Sequence, residues 1–229
     1  RQRSLRAVFE YSWNLLKDDE REVFTKLSIF KGGFEREAAH KVAGASLRAL
    51  TSLVNKSLIQ RFPNGRYGLN KVLRQYAEEI LKKHPDIEDV KGNHAMYFGE
   101  LLEKTIPLFN TRKEKMAIEM IDTEWDNVRV ALNYAMGAGE CSEIGKVSYP
   151  LLMYYVNRSL FKEGGDMFNR LAEMIKLCRG ENDLYWRIRV YQAWLMSRMG
   201  DYADSWAYVA PAEAYFKKNN ILIDMGETL

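Results

Sequence analysis

Little in this sequence belongs to the equipment of an enzyme or a secreted protein. Cysteine occurs twice in 229 residues, at Cys141 and Cys178, with no CxxC spacing. That excludes a disulfide scaffold and leaves reduced thiols in a cytoplasmic protein as the reading. No apolar run nears the roughly 20 residues of a membrane-spanning helix, and no signal-peptide pattern opens the chain. The phosphate-cradling GxxxxGK[ST] is missing; KGGF supplies only two glycines and reads as a helix stop. His40, His84 and His94 lack HExxH or Cys/His spacing. Zinc needs about four convergent ligands, so no metal is expected and these are surface or interface histidines. An initiating methionine is also lacking, and the chain stops just after an apolar run has begun. It is expected to be a piece of a longer protein.

What is present supports a folded, mainly helical chain. The hydrophobic fraction is 47%, with 12% aromatic and 28% charged residues, enough for a core and a solvated surface. The net charge of +3 is uneven: residues 1–91 hold 18 Lys+Arg against 12 Asp+Glu, and residues 92–229 hold 16 against 19. A basic first part is compatible with nucleic acid or nucleotide phosphates, and equally with ordinary surface variation.

Leu5, Val8, Phe9, Trp13 and Leu16 recur at helical steps and predict a helix over 4–16. Asp18 is placed to cap a second helix with Val23, Phe24, Leu27 and Phe30 inward, ended by Gly32-Gly33. A third helix spans Glu35–Val42, stopped by Gly44. A fourth spans 46–56, capped by Ser46, with Leu47, Leu50, Leu53 and Val54 inward. LIQRF and RYGLN then alternate around Pro63-Asn64-Gly65, a hairpin signal, and VLRQYAEEILKK returns to helical period. Three helices, a two-stranded wing and a closing helix describe a winged helix-turn-helix over residues 1–84. The stretch 85–92 reads as a linker.

Residues 93–229 read as helix pairs: 93–106, 112–137, 142–160, 162–178, 183–199, 202–217 and a last start at 221. MGDYADSWAYVAPAEAYF matches the turn and second helix of a tetratricopeptide repeat, with small residues at Ser205 and Ala212. RSLFKEGGDMFNRLAEMI aligns with it 41 residues upstream, setting Ser159 against Gly200 and Gly164 against Ser205. The second part is therefore expected as an irregular α-solenoid of the tetratricopeptide type.

RQRSLRAVFEYSWNLLKDDEREVFTKLSIFKGGF, LTSLVNKSLIQ and RYGLNKVLRQYAEEIL together resemble the winged-helix segment of bacterial STAND-type signalling ATPases, which carry an NB-ARC-like nucleotide-binding core followed by helical repeats. TEWDNVRVALNYAMGAGE resembles their first repeat-region helix. The resemblance implies a P-loop ATPase domain upstream, using ATP/ADP with Mg, and further repeats downstream. It also implies a winged helix that packs on the ATPase core and repeats that sense a protein or small-molecule ligand. The piece itself is expected to hold no cofactor and no catalytic residue. Eukaryotic relatives place a histidine on the β-phosphate of ADP just after the second wing strand. Tyr67-Gly68-Leu69-Asn70-Lys71 sets Asn70 at that position and Lys71 at the following aspartate. Asn70 is thereby the candidate ADP-sensing position of the parent protein, and because an amide donates to phosphate without charge, the lock there is expected to be weak or to depend on other contacts.

The rival reading is a DNA-binding winged-helix regulator with a repeat effector region. The helix 46–56 would enter the major groove through Arg48, Asn55 and Lys56, and Arg61 and Arg66 on the wing would reach phosphates. Two basic residues on a recognition helix are few for a sequence reader. The acidic group Glu119, Asp122, Glu124 and Asp126 reads as a solvated helix face, and Cys178 as a half-buried structural thiol. Tyr149, Tyr154, Tyr155, Trp186, Tyr191, Trp194, Trp206 and Tyr208 read mostly as core.

Overall fold

A computed structural model describes residues 13–221. The helix expected over 4–16 lies almost wholly outside them, as does the last helix start. Within the described residues the chain is mainly α, with ten α-helices and one two-stranded sheet. It divides into two compact units. One contains residues up to Leu101 together with Asp122–Tyr134; the other contains Leu102–Ile121 and everything from Ala135 onward.

The first unit begins with α1 (Asp18–Leu27). Asp18 is its first helical residue rather than its cap, because the preceding Lys17 N–H is taken at 2.9 Å by the Glu20 carboxylate. The helix ends at Leu27 with Ser28 as C-cap, well short of Gly32-Gly33. Helix α2 (Arg36–Ala43) stops at Gly44, whose φ of 64° suits a residue without Cβ. Helix α3 (Leu47–Asn55) starts at Ser46, whose hydroxyl accepts from the Ala49 N–H. Leu50 and Leu53 are buried as expected, but Leu47 is 48% exposed, a correction to its inward assignment.

Strands β1 (Ile59–Arg61) and β2 (Tyr67–Leu69) pair antiparallel with Gln60 opposite Gly68. Gly65 takes φ of 82° in the turn. Phe34 and Tyr67 exchange both backbone hydrogen bonds at 2.8 Å, which adds one residue to the edge of the hairpin. Helix α4 (Lys71–Leu81) follows directly. Helix α5 (Ile87–Thr105) runs through the stretch expected as a linker. Pro85 sits just ahead of it, where its missing N–H costs nothing, and Val90 supplies the buried contact that periodicity alone did not reveal. The core centres on Phe24, Phe30, Phe34, Leu50, Leu53 and Phe98, all fully buried. Phe30 stacks on Phe34 at 4.6 Å and meets Phe98 edge-on at 6.2 Å; each such burial contributes about 1.5–3 kcal/mol.

The second unit takes both ends of α6 (Glu114–Ala138), then α7 (Cys141–Asn157), α8 (Phe161–Arg179), α9 (Asp183–Ser197) and α10 (Tyr202–Lys218). The internal alignment holds in three dimensions. Ser159 and Gly200 both take positive φ, 54° and 90°, in the turns that open α8 and α10. Gly164 and Ser205 are both buried one turn later. A Cβ on Gly164 would come within 2.8 Å of Tyr155 and 2.9 Å of Leu195, and the Ser205 hydroxyl donates to the Ala193 carbonyl at 2.9 Å. Small residues are needed there because helices pass close. Tyr154, Tyr155 and Tyr191 are core, whereas Trp206 is 62% exposed.

Candidate functional site

The residues singled out for nucleotide or DNA lie on α3, the hairpin and the start of α4, and the fold treats them differently. Arg48 and Asn55 are exposed on α3. With Leu47, Thr51 and Ser52 they line a shallow depression of about 500 Å³. Arg61 is exposed on β1.

Lys56 is not available to phosphate. Its ammonium is held at 2.5 Å by Glu20, which also accepts from the Ser52 hydroxyl at 2.5 Å. Glu20 is only 7% exposed. The hydrogen bond from Lys56, then that from Ser52, holds its carboxyl down at about 2. Arg66 is likewise turned inward, not toward a ligand beyond the wing. Its guanidinium pairs with the buried Glu124 carboxylate and donates to the Gly33 carbonyl at 2.7 Å.

Asn127, fully buried, completes this polar cluster. Its amide nitrogen donates to the Gly33 carbonyl at 3.0 Å and to Glu124 at 2.9 Å, and its oxygen accepts from the Lys31 N–H at 3.0 Å. The KGGF stretch is thus a loop clasped by side chains, not a helix stop. The Tyr67 carbonyl lies 3.1 Å from where a Gly33 Cβ would be, so Gly33 is there for close approach. Glu124 departs from the solvated face expected of it; Glu119, Asp122 and Asp126 are exposed.

A signal for these partners is present in the sequence. Ile121, Glu124, Val128, Ala131 and Ala135 fall at helical steps of three and four. Leu16, Glu20, Phe24 and Leu27 do the same in the region of α1. A carboxylate on an apolar stripe is a buried carboxylate in need of a cation.

Asn70 is the N-cap of α4, its side-chain oxygen accepting from the Val72 N–H at 2.9 Å. It is exposed, and capping uses only the oxygen, which leaves the amide to donate outward. Lys71 beside it is exposed, and so, at 40%, is Val72.

Of the histidines, His94 departs from the surface or interface position expected. His94 is 1% exposed and lies on the Phe98 ring at 4.6 Å and the Phe30 ring at 5.4 Å. Burial pushes it down to about 4, against a smaller opposing effect of Asn127. His84 converges with Glu22 and Asp86, but Lys26 already bridges those two carboxylates at 2.7 and 3.0 Å. In the second unit Cys178 is exposed rather than half-buried, and Cys141 is buried. Among the described residues no helix is long and apolar enough to cross a membrane.

No protein-family model matches the chain. Over 184 residues it is 32% identical to curated proteins of Mycobacterium bovis and Mycobacterium tuberculosis that are provisionally named HTH-type transcriptional regulators. The match covers 76% of this chain and 20% of theirs, so the chain spans about a fifth of the length of these relatives. Among solved structures it resembles a signal transduction ATPase with numerous domains (STAND) protein with a tetratricopeptide repeat sensor from Pyrococcus horikoshii. That likeness has a TM-score of 0.43 and 14% identity, over 93% of this chain and 34% of the other.

Proposed function

We propose that this chain is the regulatory and protein-interaction part of a STAND-type signalling ATPase. In this reading α1–α4 and the hairpin form a winged helix-turn-helix that docks on an upstream nucleotide-binding domain of the same chain. The helical repeats take up a protein or small-molecule ligand and bias that docking. The nucleotide and its Mg are held by the upstream domain, and this chain does no catalysis itself.

The observation that carries the reading is the internal capture of Lys56 by Glu20 and of Arg66 by Glu124. Two of the five residues that would make a DNA surface are spent on holding the fold together. What remains outward on α3 pairs Arg48 and Asn55 with the half-exposed Leu47, a mixture that suits a protein face better than a phosphate backbone. Asn70 adds support: an outward amide next to the exposed Lys71 suits an anionic β-phosphate.

The test uses the protein extended upstream to include its nucleotide-binding domain. Leu47→Asp is expected to loosen the docked state and speed ADP release by about tenfold, equivalent to about 1.4 kcal/mol. Unchanged release would remove α3 from the docking face.

A second reading, DNA recognition, is favoured by the exposure of Arg48, Asn55 and Arg61 and by the naming of the mycobacterial relatives. Titration against duplex DNA across salt separates the two. Weak, sequence-blind binding that fades near physiological ionic strength agrees with the first reading. A specific site bound at nanomolar affinity and lost in Arg48→Ala with Asn55→Ala puts the second reading first.

A further inference from the structure

We propose that Cys141, Cys178 and Met174 form a binding site for a soft monovalent cation, Cu(I). Met174 and Cys178 stand one turn apart on α8 and so share a face, while Cys141 is the first residue of α7. The Met174 sulfur lies 3.5 Å from the Cys141 sulfur and 3.9 Å from that of Cys178. Gly139, with φ of 70°, closes α6 just ahead of Cys141, and a Cβ there would lie 3.4 Å from the Cys178 sulfur, at the edge of ordinary contact. Arg179 donates to the Ser142 hydroxyl at 3.1 Å and fastens the same two helix ends together.

The spacing fits a three-coordinate ion. A metal–thiolate bond is about 2.3 Å, which sets three trigonal ligands about 4 Å apart, close to the 3.5 and 3.9 Å that separate the Met174 sulfur from the two cysteine sulfurs. The donor set selects the ion: two thiols and a thioether favour Cu(I) over a divalent cation that prefers nitrogen or oxygen. Access is built in, because Cys178 is exposed while Cys141 is 1% exposed. Coordination turns both thiols into thiolates and releases their protons to solvent, with no change of oxidation state. Burial pushes the Cys141 thiol up and the adjacent Cys178 pushes it the same way, while the Arg179 charge opposes them.

The reduced chain, kept anaerobic, would be titrated with Cu(I) as its acetonitrile complex against a chromophoric Cu(I) chelator. A single equivalent is expected, with a sulfur-to-copper charge-transfer band in the ultraviolet. Cys178→Ser should abolish competition with the chelator. Met174→Leu should weaken binding by at least about tenfold, since one of three ligands is lost, while the exposed Cys178 thiol still reacts with a thiol reagent. Uptake unchanged in both variants overturns the proposal. So does zinc bound as tightly as Cu(I), or a wild-type chain that forms a Cys141–Cys178 disulfide in air yet takes up no Cu(I) when reduced.

Discussion

Arg66 and Glu124, 58 residues apart in sequence, form a buried ion pair that ties the hairpin to the Asp122–Tyr134 stretch of α6. The pair is not isolated: Arg66 also donates to the Gly33 carbonyl and lies 3.6 Å from Glu35, and Glu124 accepts from the Asn127 amide. Burying charges is costly, and removing one partner leaves the other uncompensated. Arg66→Ala should therefore destabilise the chain by about 3–5 kcal/mol. Adding Glu124→Ala should cost less than the sum of the two single changes. Urea unfolding of the two single variants and the double variant checks this, and additivity within about 0.5 kcal/mol would mean the two residues do not act together.

His94 makes stability depend on pH. Its folded value is about 4, below the ordinary 6.5, so the unfolded chain binds the extra proton first. The contribution is fully present above about 6.5 and is lost as pH falls toward 4, at most about 3 kcal/mol. Stability measured from pH 7 down to 4.5 should fall more steeply in the wild type than in His94→Phe. Parallel curves would show that His94 is not the group responsible.

Gly164 should not tolerate a methyl group. A Cβ would press on Tyr155 and Leu195, core side chains rather than flexible tips. Gly164→Ala is expected to cost about 1–3 kcal/mol by overpacking, despite the better helix propensity of alanine. Gly165→Ala, with nothing near its Cβ position, is the control. A stabilised Gly164→Ala would contradict the close helix passage read from the repeat alignment.

These predictions also mark what the sequence conveyed. Helices and the hairpin were legible because their apolar periods and their stops, Gly44, Ser46 and Pro63-Asn64-Gly65, act locally. The repeat alignment was legible because two turns needing positive φ recur at one spacing, Ser159 and Gly200. The fates of Lys56 and Arg66 were not, since each depends on a carboxylate far away in the chain. Composition counts a basic residue as surface charge until its partner is known. The stripe positions of Glu20 and Glu124 carried that information, but only an apolar stripe read together with its polar interruptions reveals it. The first residues of α5, within the stretch expected as a linker, were hidden for a different reason: among residues 87–92 only Val90 is buried, too little to set a helical period.

The proposed function requires coupling between this chain and a nucleotide held by an upstream domain, and in that proposal Asn70 is the residue set against the β-phosphate. Its oxygen caps α4, so alanine there would cost about 1 kcal/mol of cap energy and confuse the result. Asn70→Asp keeps a capping oxygen and loses the amide donor, whereas Asn70→His supplies a ring donor to phosphate. The decisive measurement is the dissociation rate of a fluorescent ADP from the protein extended upstream, compared across wild type, Asn70→Asp and Asn70→His at matched folding stability. The account predicts slower release in Asn70→His and faster release in Asn70→Asp, each by about tenfold. Identical rates in all three proteins would contradict it.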